Sequence, residues 1–219
     1  MIPFKLQISD TIGEISCEIM EASSQKAAIV LAHGAGAGMH HQFMVSLSNA
    51  LAERGITSLR YQFPYLEAGK KRPDPPAVAQ KAVEAVVTEA LRRYDQLPVY
   101  AGGKSFGGRM TSLFAANATP INLKGLVFYG FPLHPPGKPS VQRAAHLKDI
   151  SCPMLFLQGT RDKLAEMELI KQVTEPLPQT DLIELDGADH SFHMLKKYNI
   201  SDIEVIKKLS ELTSKWMKI

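Results

Sequence analysis

The sequence predicts an α/β fold: a mostly parallel sheet with helices on both faces and an antiparallel hairpin at its N-terminal edge. Three observations carry this. FKLQIS (4–9) and EISCEIM (14–20) alternate apolar and polar residues around a turn at Asp10 and Gly13, the pattern of a half-buried hairpin. AAIVLA (27–32), ITSLRYQF (56–63), PVYAGG (98–103), KGLVFYGF (124–131), PMLFLQG (153–159) and DLIELDG (181–187) are mostly short apolar runs ending near Gly or Pro. Such runs suit strands buried on both faces of a parallel sheet. Helical segments alternate with these runs, as in a sheet covered on both sides.

Two helices can be delimited by their chemistry. Over 75–94, Val78, Ala82, Val83, Val86, Val87, Ala90, Leu91 and Tyr94 recur every three or four residues, with Asp74 as the expected N-cap and Pro75 in the first turn. The last helix opens at Ser201-Asp202-Ile203-Glu204, a capping-box pattern, and its expected apolar stripe is Ile203, Val205, Ile206, Leu209, Leu212 and Trp216. Between Pro132 and Cys152, prolines at 132, 135, 136 and 139 with Gly137 leave room for one short helix, around Val141 to Leu147. No sizeable lid domain is expected, and this segment is expected to wall one side of a pocket for short, soluble substrates. No internal repeat, low-complexity tract or linker breaks the order, so one domain spanning residues 1–219 is expected.

Composition narrows the classes. Hydrophobic residues make up 45% and charged residues 21%, enough apolar material for a real core. A net charge of +3 is too small to imply nucleic acid or an anionic membrane as partner. The basic cluster Lys70-Lys71-Arg72 sits among Gly69, Pro73, Pro75 and Pro76, which reads as a solvated loop. No apolar run approaches bilayer length, and MIPFKLQISD lacks the pattern of a signal peptide. Cys17 and Cys152 each lie in or beside an apolar run and are expected as buried free thiols. The expected setting is the cytoplasm.

In a sheet of this kind, ligands meet the loops beyond the carboxyl ends of the strands. Phosphate binding is the first reading to test there, because two Gly-rich loops follow strands. A Walker A loop ending at Gly103-Lys104-Ser105 needs its first glycine at position 98, where Pro98 stands. HGAGAGMHH (33–41) fails the dinucleotide fingerprint in both registers, with Met39 or His41 where the third glycine belongs. Both nucleotide readings fail.

GGKSFGGR (102–109) offers different chemistry. It follows the strand PVYAGG and opens a helical stretch with Phe106, Met110, Leu113 and Phe114 on one face. A strand–turn–helix with glycines at 102, 103, 107 and 108 pushes the Ser105 hydroxyl out at the ligand edge of the sheet, as a nucleophile requires. An ordinary helix N-cap accounts for the serine but not for all four glycines.

A serine hydroxyl needs a base to take its proton. Of seven histidines, His190 in DGADHSFH lies in a polar loop directly after a strand, where it can turn back over the sheet edge. His193 reads as exposed at a helix start, and His33 as a packing and hydrogen-bonding residue of the Gly-rich loop. His40 and His41 can line a pocket or stand exposed, while His134 and His146 carry no specific signal. The adjacent pair and the H-x-x-H spacing lack the further ligands a metal needs, so no metal or cofactor is expected.

Asp162, after PMLFLQGTR, is the expected partner that orients His190. Asp189 would have to fold back on its own neighbour, and it and Asp186 have turn formation as their ordinary explanation. Oxyanion donors are expected from the backbone N–H of Phe106 and from the loop after the first parallel strand, with Ala35 chosen and Gly36 open.

The stretches LAHGAGAGM, GGKSFGGR, FLQGTRD and DGADHSF, with the chain order Ser–acid–His, resemble those of the α/β-hydrolases along the whole chain. More narrowly, the sequence resembles the small dienelactone-hydrolase-like predicted hydrolases related to the testis-expressed and histone-acetyltransferase-complex subunit group. This resemblance implies the α/β-hydrolase fold and a cofactor-independent serine hydrolase acting on an ester or similar acyl bond of a small molecule. Ser105 stands where dienelactone hydrolases proper use cysteine, so lactone chemistry is not implied. Some relatives serve as assembly subunits, which makes a non-catalytic interaction module the alternative.

Overall fold

The computed structural model describes residues 1–118 and 122–219. Its centre is one eight-stranded sheet of order β1-β2-β4-β3-β5-β6-β7-β8. The strands are β1 Ile2–Ser9, β2 Gly13–Met20, β3 Ala27–Ala32, β4 Ile56–Tyr61, β5 Val99–Lys104, β6 Leu126–Tyr129, β7 Met154–Gly159 and β8 Thr180–Leu185. β1 and β2 form the antiparallel hairpin, β2 joins β4 antiparallel, and every remaining pair is parallel.

Helices cover both faces because side chains alternate along each strand. On β3, Ala28, Val30 and Ala32 enter one core with α3 (Pro76–Arg93) and α4 (Phe106–Asn117). Ala27, Ile29 and Leu31 enter the other with α1 (Gln42–Ala52) and α6 (Asp202–Trp216). The four-residue α2 (Pro64–Glu67) follows β4, and α5 (Met167–Thr174) precedes β8. β8 departs from the expected two-sided burial: it is the sheet edge, and Asp181 and Glu184 on it are exposed. Among the described residues, no helix is long and apolar enough to cross a membrane.

Three local expectations need correction. The N-cap of α3 is Pro75, not Asp74, and Pro76 takes the first turn. Asp74 lies one residue too early, and its carboxylate accepts the Tyr65 N–H at 2.8 Å. The capping box at Ser201 and Glu204 forms, but Ile203 is 67% exposed and leaves the core stripe to Val205, Ile206 and Leu209. Cys17 is buried, whereas Cys152 is only half-buried. The segment between β6 and β7 holds a single 3₁₀ helix, Gln142–Asp149, and no helical lid.

Parallel register aligns the strand ends that matter. Ala32 pairs with both Tyr61 and Gly103, Gly103 with Phe128, and Gly159 with Leu185. The loops after β3, β5, β7 and β8 therefore open along one edge.

Candidate active site

The turn from β5 into α4 is crowded. A Cβ built on Gly103 would sit 2.2 Å from the Ala32 carbonyl oxygen, and one on Gly107 only 2.4 Å from it. Only glycine lets strand and helix meet this closely. Ser105, held between them, has φ 50° and ψ −116°, a backbone conformation that costs a non-glycine residue about 1–3 kcal/mol. It occupies the N-cap position of α4 yet makes no side-chain capping bond. Its Oγ lies 2.8 Å from His190 Nε2 instead.

His190 comes from the loop after β8, and its Nδ1 lies 2.7 Å from Asp162 Oδ2. Asp162 is 3% exposed in the loop after β7. The buried Gln158 amide donates to Asp162 Oδ2 at 2.6 Å, and the Leu164 N–H donates to Oδ1 at 2.8 Å. With both oxygens held, the carboxylate can only accept, which sets the Nδ1–H tautomer of His190 and turns Nε2 toward the serine hydroxyl. Gln158 lies in the stretch FLQGTRD, where its one signal is a polar side chain inside an apolar strand.

The rivals are occupied elsewhere. Asp189 Oδ1 accepts the N–H groups of Ser191 and His193 at 2.8 and 3.0 Å, forming the turn that presents His190. Asp186 receives Thr160 and Tyr198 hydroxyls. His193 pairs with Asp202 at 2.9 Å, and this hydrogen bond pulls its pKa upward. His134 bonds Glu166, His146 bonds Ser112 at 2.8 Å, and His41 N-caps α1. His33 is fully buried, donates from Nδ1 to Gly34 O at 2.8 Å and accepts the Phe63 N–H on Nε2 at 3.0 Å. Burial pushes its pKa down to about 4, so the ring is neutral, as its accepting nitrogen requires.

The Gly-rich loop after β3 is anchored by residues that no motif marks. Tyr65 Oη accepts the Gly36 N–H at 3.0 Å, Gln62 accepts the Met39 N–H at 2.9 Å, and buried Arg60 donates to Met39 O at 2.8 Å. Phe106, at the first position of α4, has an N–H with no intrahelical acceptor available to it.

The family model described as "Alpha/beta hydrolase domain" matches residues 25–218. The chain belongs to that family. Solved structures agree in fold. An alpha-beta serine hydrolase homologue from Coxiella burnetii has TM-score 0.77 and 20% identity, covering 98% of this chain and 96% of its own. A dienelactone hydrolase from Anabaena variabilis has TM-score 0.76 and 18% identity, covering 99% and 97%. A serine hydrolase without a lid from Xanthomonas campestris has TM-score 0.72 and 19% identity, covering 97% and 94%.

In this α/β-hydrolase, Ser105 and His190 line a cavity of about 580 Å³. Its apolar walls are Phe43 and Met44 of α1, Ile203 and Ile206 of α6, with Leu164 and Phe192 from the loops. This corrects the expectation that the 132–152 segment walls the pocket. That segment packs on α4 instead, through contacts such as Ser112–His146. The exposed Ile203 that left the core stripe is one of the cavity's walls. Among the described residues, no group of three His, Cys, Asp or Glu side chains is placed to hold a metal ion.

Proposed function

We propose that the protein is a cofactor-independent, carboxylesterase-like serine hydrolase that cleaves an ester or similar acyl bond of a small molecule. The observation that carries this reading is the relay Ser105–His190–Asp162, with a strained serine whose hydroxyl faces an imidazole instead of capping its own helix. Ser105 Oγ attacks the acyl carbon as its proton passes to His190 Nε2, and Asp162 stabilises the resulting imidazolium. The oxyanion is held by the Phe106 and Ala35 N–H groups. Ala35 is the better loop donor because the Gly36 N–H is already given to Tyr65. His190 then protonates the leaving alcohol, and water releases the acyl group from Ser105 by the reverse path.

The apolar cavity walls support an apolar acyl or alcohol group on the substrate. The motif resemblance to the small dienelactone-hydrolase-like group belongs to this reading. So does a cytoplasmic setting, which suits the two free cysteines.

One experiment tests the reading. A fluorophosphonate probe should label wild-type protein at Ser105, and p-nitrophenyl esters from acetate to palmitate should then be ranked by kcat/KM. Each methylene buried against the walls is worth about 0.8 kcal/mol, so kcat/KM should rise over the first few carbons, and the small-substrate reading expects the peak before octanoate. No jump is expected at the micelle-forming concentration, because the segment between β6 and β7 carries no helical lid. A peak at octanoate or longer would overturn the small-substrate reading. Absence of labelling and turnover together would favour the interaction module.

A further inference from the structure

Lys104 stands between the glycines and the proposed nucleophile, and nothing in the relay uses it. It is the last residue of β5, and strand alternation places it on the same sheet face as Tyr100, the face covered by α1 and α6. Its ammonium donates to the backbone carbonyl of His190. Nζ also lies 5.1 Å from the ring centroid of Phe192 and 5.8 Å from that of Phe43, two rings that stack on each other at 5.8 Å. One cation therefore joins three elements: the strand that ends at Ser105, the loop that carries His190, and the first turn of α1.

We infer that Lys104 is a positioning residue for the proposed base, its ammonium pinning the His190 backbone so that Nε2 stays on Ser105 Oγ. The inference rests on the hydrolase reading above. The charged form is the effective one. An ammonium bonds a carbonyl more strongly than a neutral amine does, and only the cation is attracted to the faces of two aromatic rings. The groups that face it are few. Asp162 comes from the loop after β7, and Asp189 and His190 from the loop after β8. α1 presents the Phe43 ring and has no charged residue, while Asp202 of α6 is paired with His193.

The site bears a cost that a purely structural lysine would not need. Burial, partly offset by Asp162 and Asp189, pushes the Lys104 pKa down to about 8 from 10.5. The folded state thus binds its proton less tightly than the unfolded chain does. Holding the charge costs stability below about pH 8, and that cost disappears as pH rises toward 10.5. A cation kept where the fold disfavours it points to use at the site.

The test is Lys104→Met, with kcat, KM and thermal midpoint measured against pH on an activated ester, beside Lys104→Arg and Ser105→Ala. Lys104→Met should lower kcat by roughly 10- to 100-fold with KM within about twofold, the loss expected from a base misplaced by a fraction of an ångström to 1 Å. Its thermal midpoint at pH 7 should not fall. Wild-type kcat should decline as pH rises through about 8. That limb should vanish in Lys104→Met and move above about pH 10 in Lys104→Arg, whose guanidinium keeps its charge. Lys104→Arg carries the question alone if the methionine variant does not fold. Wild-type kcat in Lys104→Met, a loss matched by a fall in thermal midpoint, or a limb that stays near pH 8 in Lys104→Arg would overturn the inference. Full activity in Ser105→Ala would sink the hydrolase reading instead, so the two failures can be told apart.

Discussion

Ser105 carries positive φ with nothing gained by its own helix, since its hydroxyl caps no N–H of α4. The strain is offset only by what the hydroxyl does outside the helix. Ser105→Gly should therefore raise stability by about 1 kcal/mol while abolishing ester turnover, and thermal melts beside activity assays check both. Ser105→Ala should abolish turnover as well, and His190→Ala should cost on the order of 10⁴-fold or more, because relay members act as a unit. The proposed acid, Asp162, is separable from its neighbour Asp189. Asp162→Asn should cost about 10⁴-fold by giving His190 the wrong tautomer. Asp189→Asn should cost far less, because Asp189 is bound to the N–H groups of its own turn. Reversed effects in kcat would move the acid to Asp189.

Among the elements, the β5–α4 elbow sets the position of the serine, and its tolerance is steric. A Cβ at Gly107 would lie 2.4 Å from Ala32 O and 2.5 Å from His33 O, both backbone atoms that cannot step aside. Gly107→Ala should cost about 3 kcal/mol or more in urea unfolding. At Gly34, on the facing loop, the same methyl meets nothing closer than 3.7 Å, and Gly34→Ala should cost less than about 1 kcal/mol. Equal costs at the two glycines would mean that the close approach of α4 to β3 is not what the glycines serve. The facing loop itself is held from β4 and the residues after it, by Arg60, Gln62, Phe63 and Tyr65. Asp74 reaches the same group by holding the Tyr65 N–H.

Across the whole molecule, the buried histidine under the loop after β3 ties stability to pH. The His33 pKa is pushed down to about 4 by burial, against 6.5 for a free imidazole, so between these values the unfolded chain takes up a proton that the folded chain refuses. Stability is full above about pH 6.5 and is lost as pH falls toward 4. His33 alone should contribute a loss on the order of 2 kcal/mol by about pH 5. His146, also lowered to about 4 by burial first and Arg109 second, adds to it in the same window. Urea midpoints measured from pH 7 to 4 should fall from about pH 6.5 downward. A midpoint that held constant to pH 4.5 would show that His33 does not stay neutral in the fold.

The amino-acid order alone determined what local chemistry can encode. Two-sided apolar strands, the 3.6-residue period of α3, the capping box of α6 and the glycines packed around Ser105 are all short-range signals. The members of the proposed relay, Ser105, Asp162 and His190, could each be nominated because each follows a strand, and a parallel sheet gathers such loops on one edge. What packs across that edge is not encoded within any one stretch. The wall of the cavity comes from α1 and α6, far apart in the chain, and Ile203 faces it although its spacing put it with the core. Gln158 accepts the Phe131 N–H, and Lys104 reaches the His190 carbonyl, only when β7 and β5 are brought beside elements distant in the chain. Asp74 could not be read correctly as a cap, because the competing partner for its carboxylate, the Tyr65 N–H, is delivered by the turn after β4. A side chain with one local use and one distant partner is decided by whichever bond the folded backbone brings within reach, and that distance exists only in three dimensions.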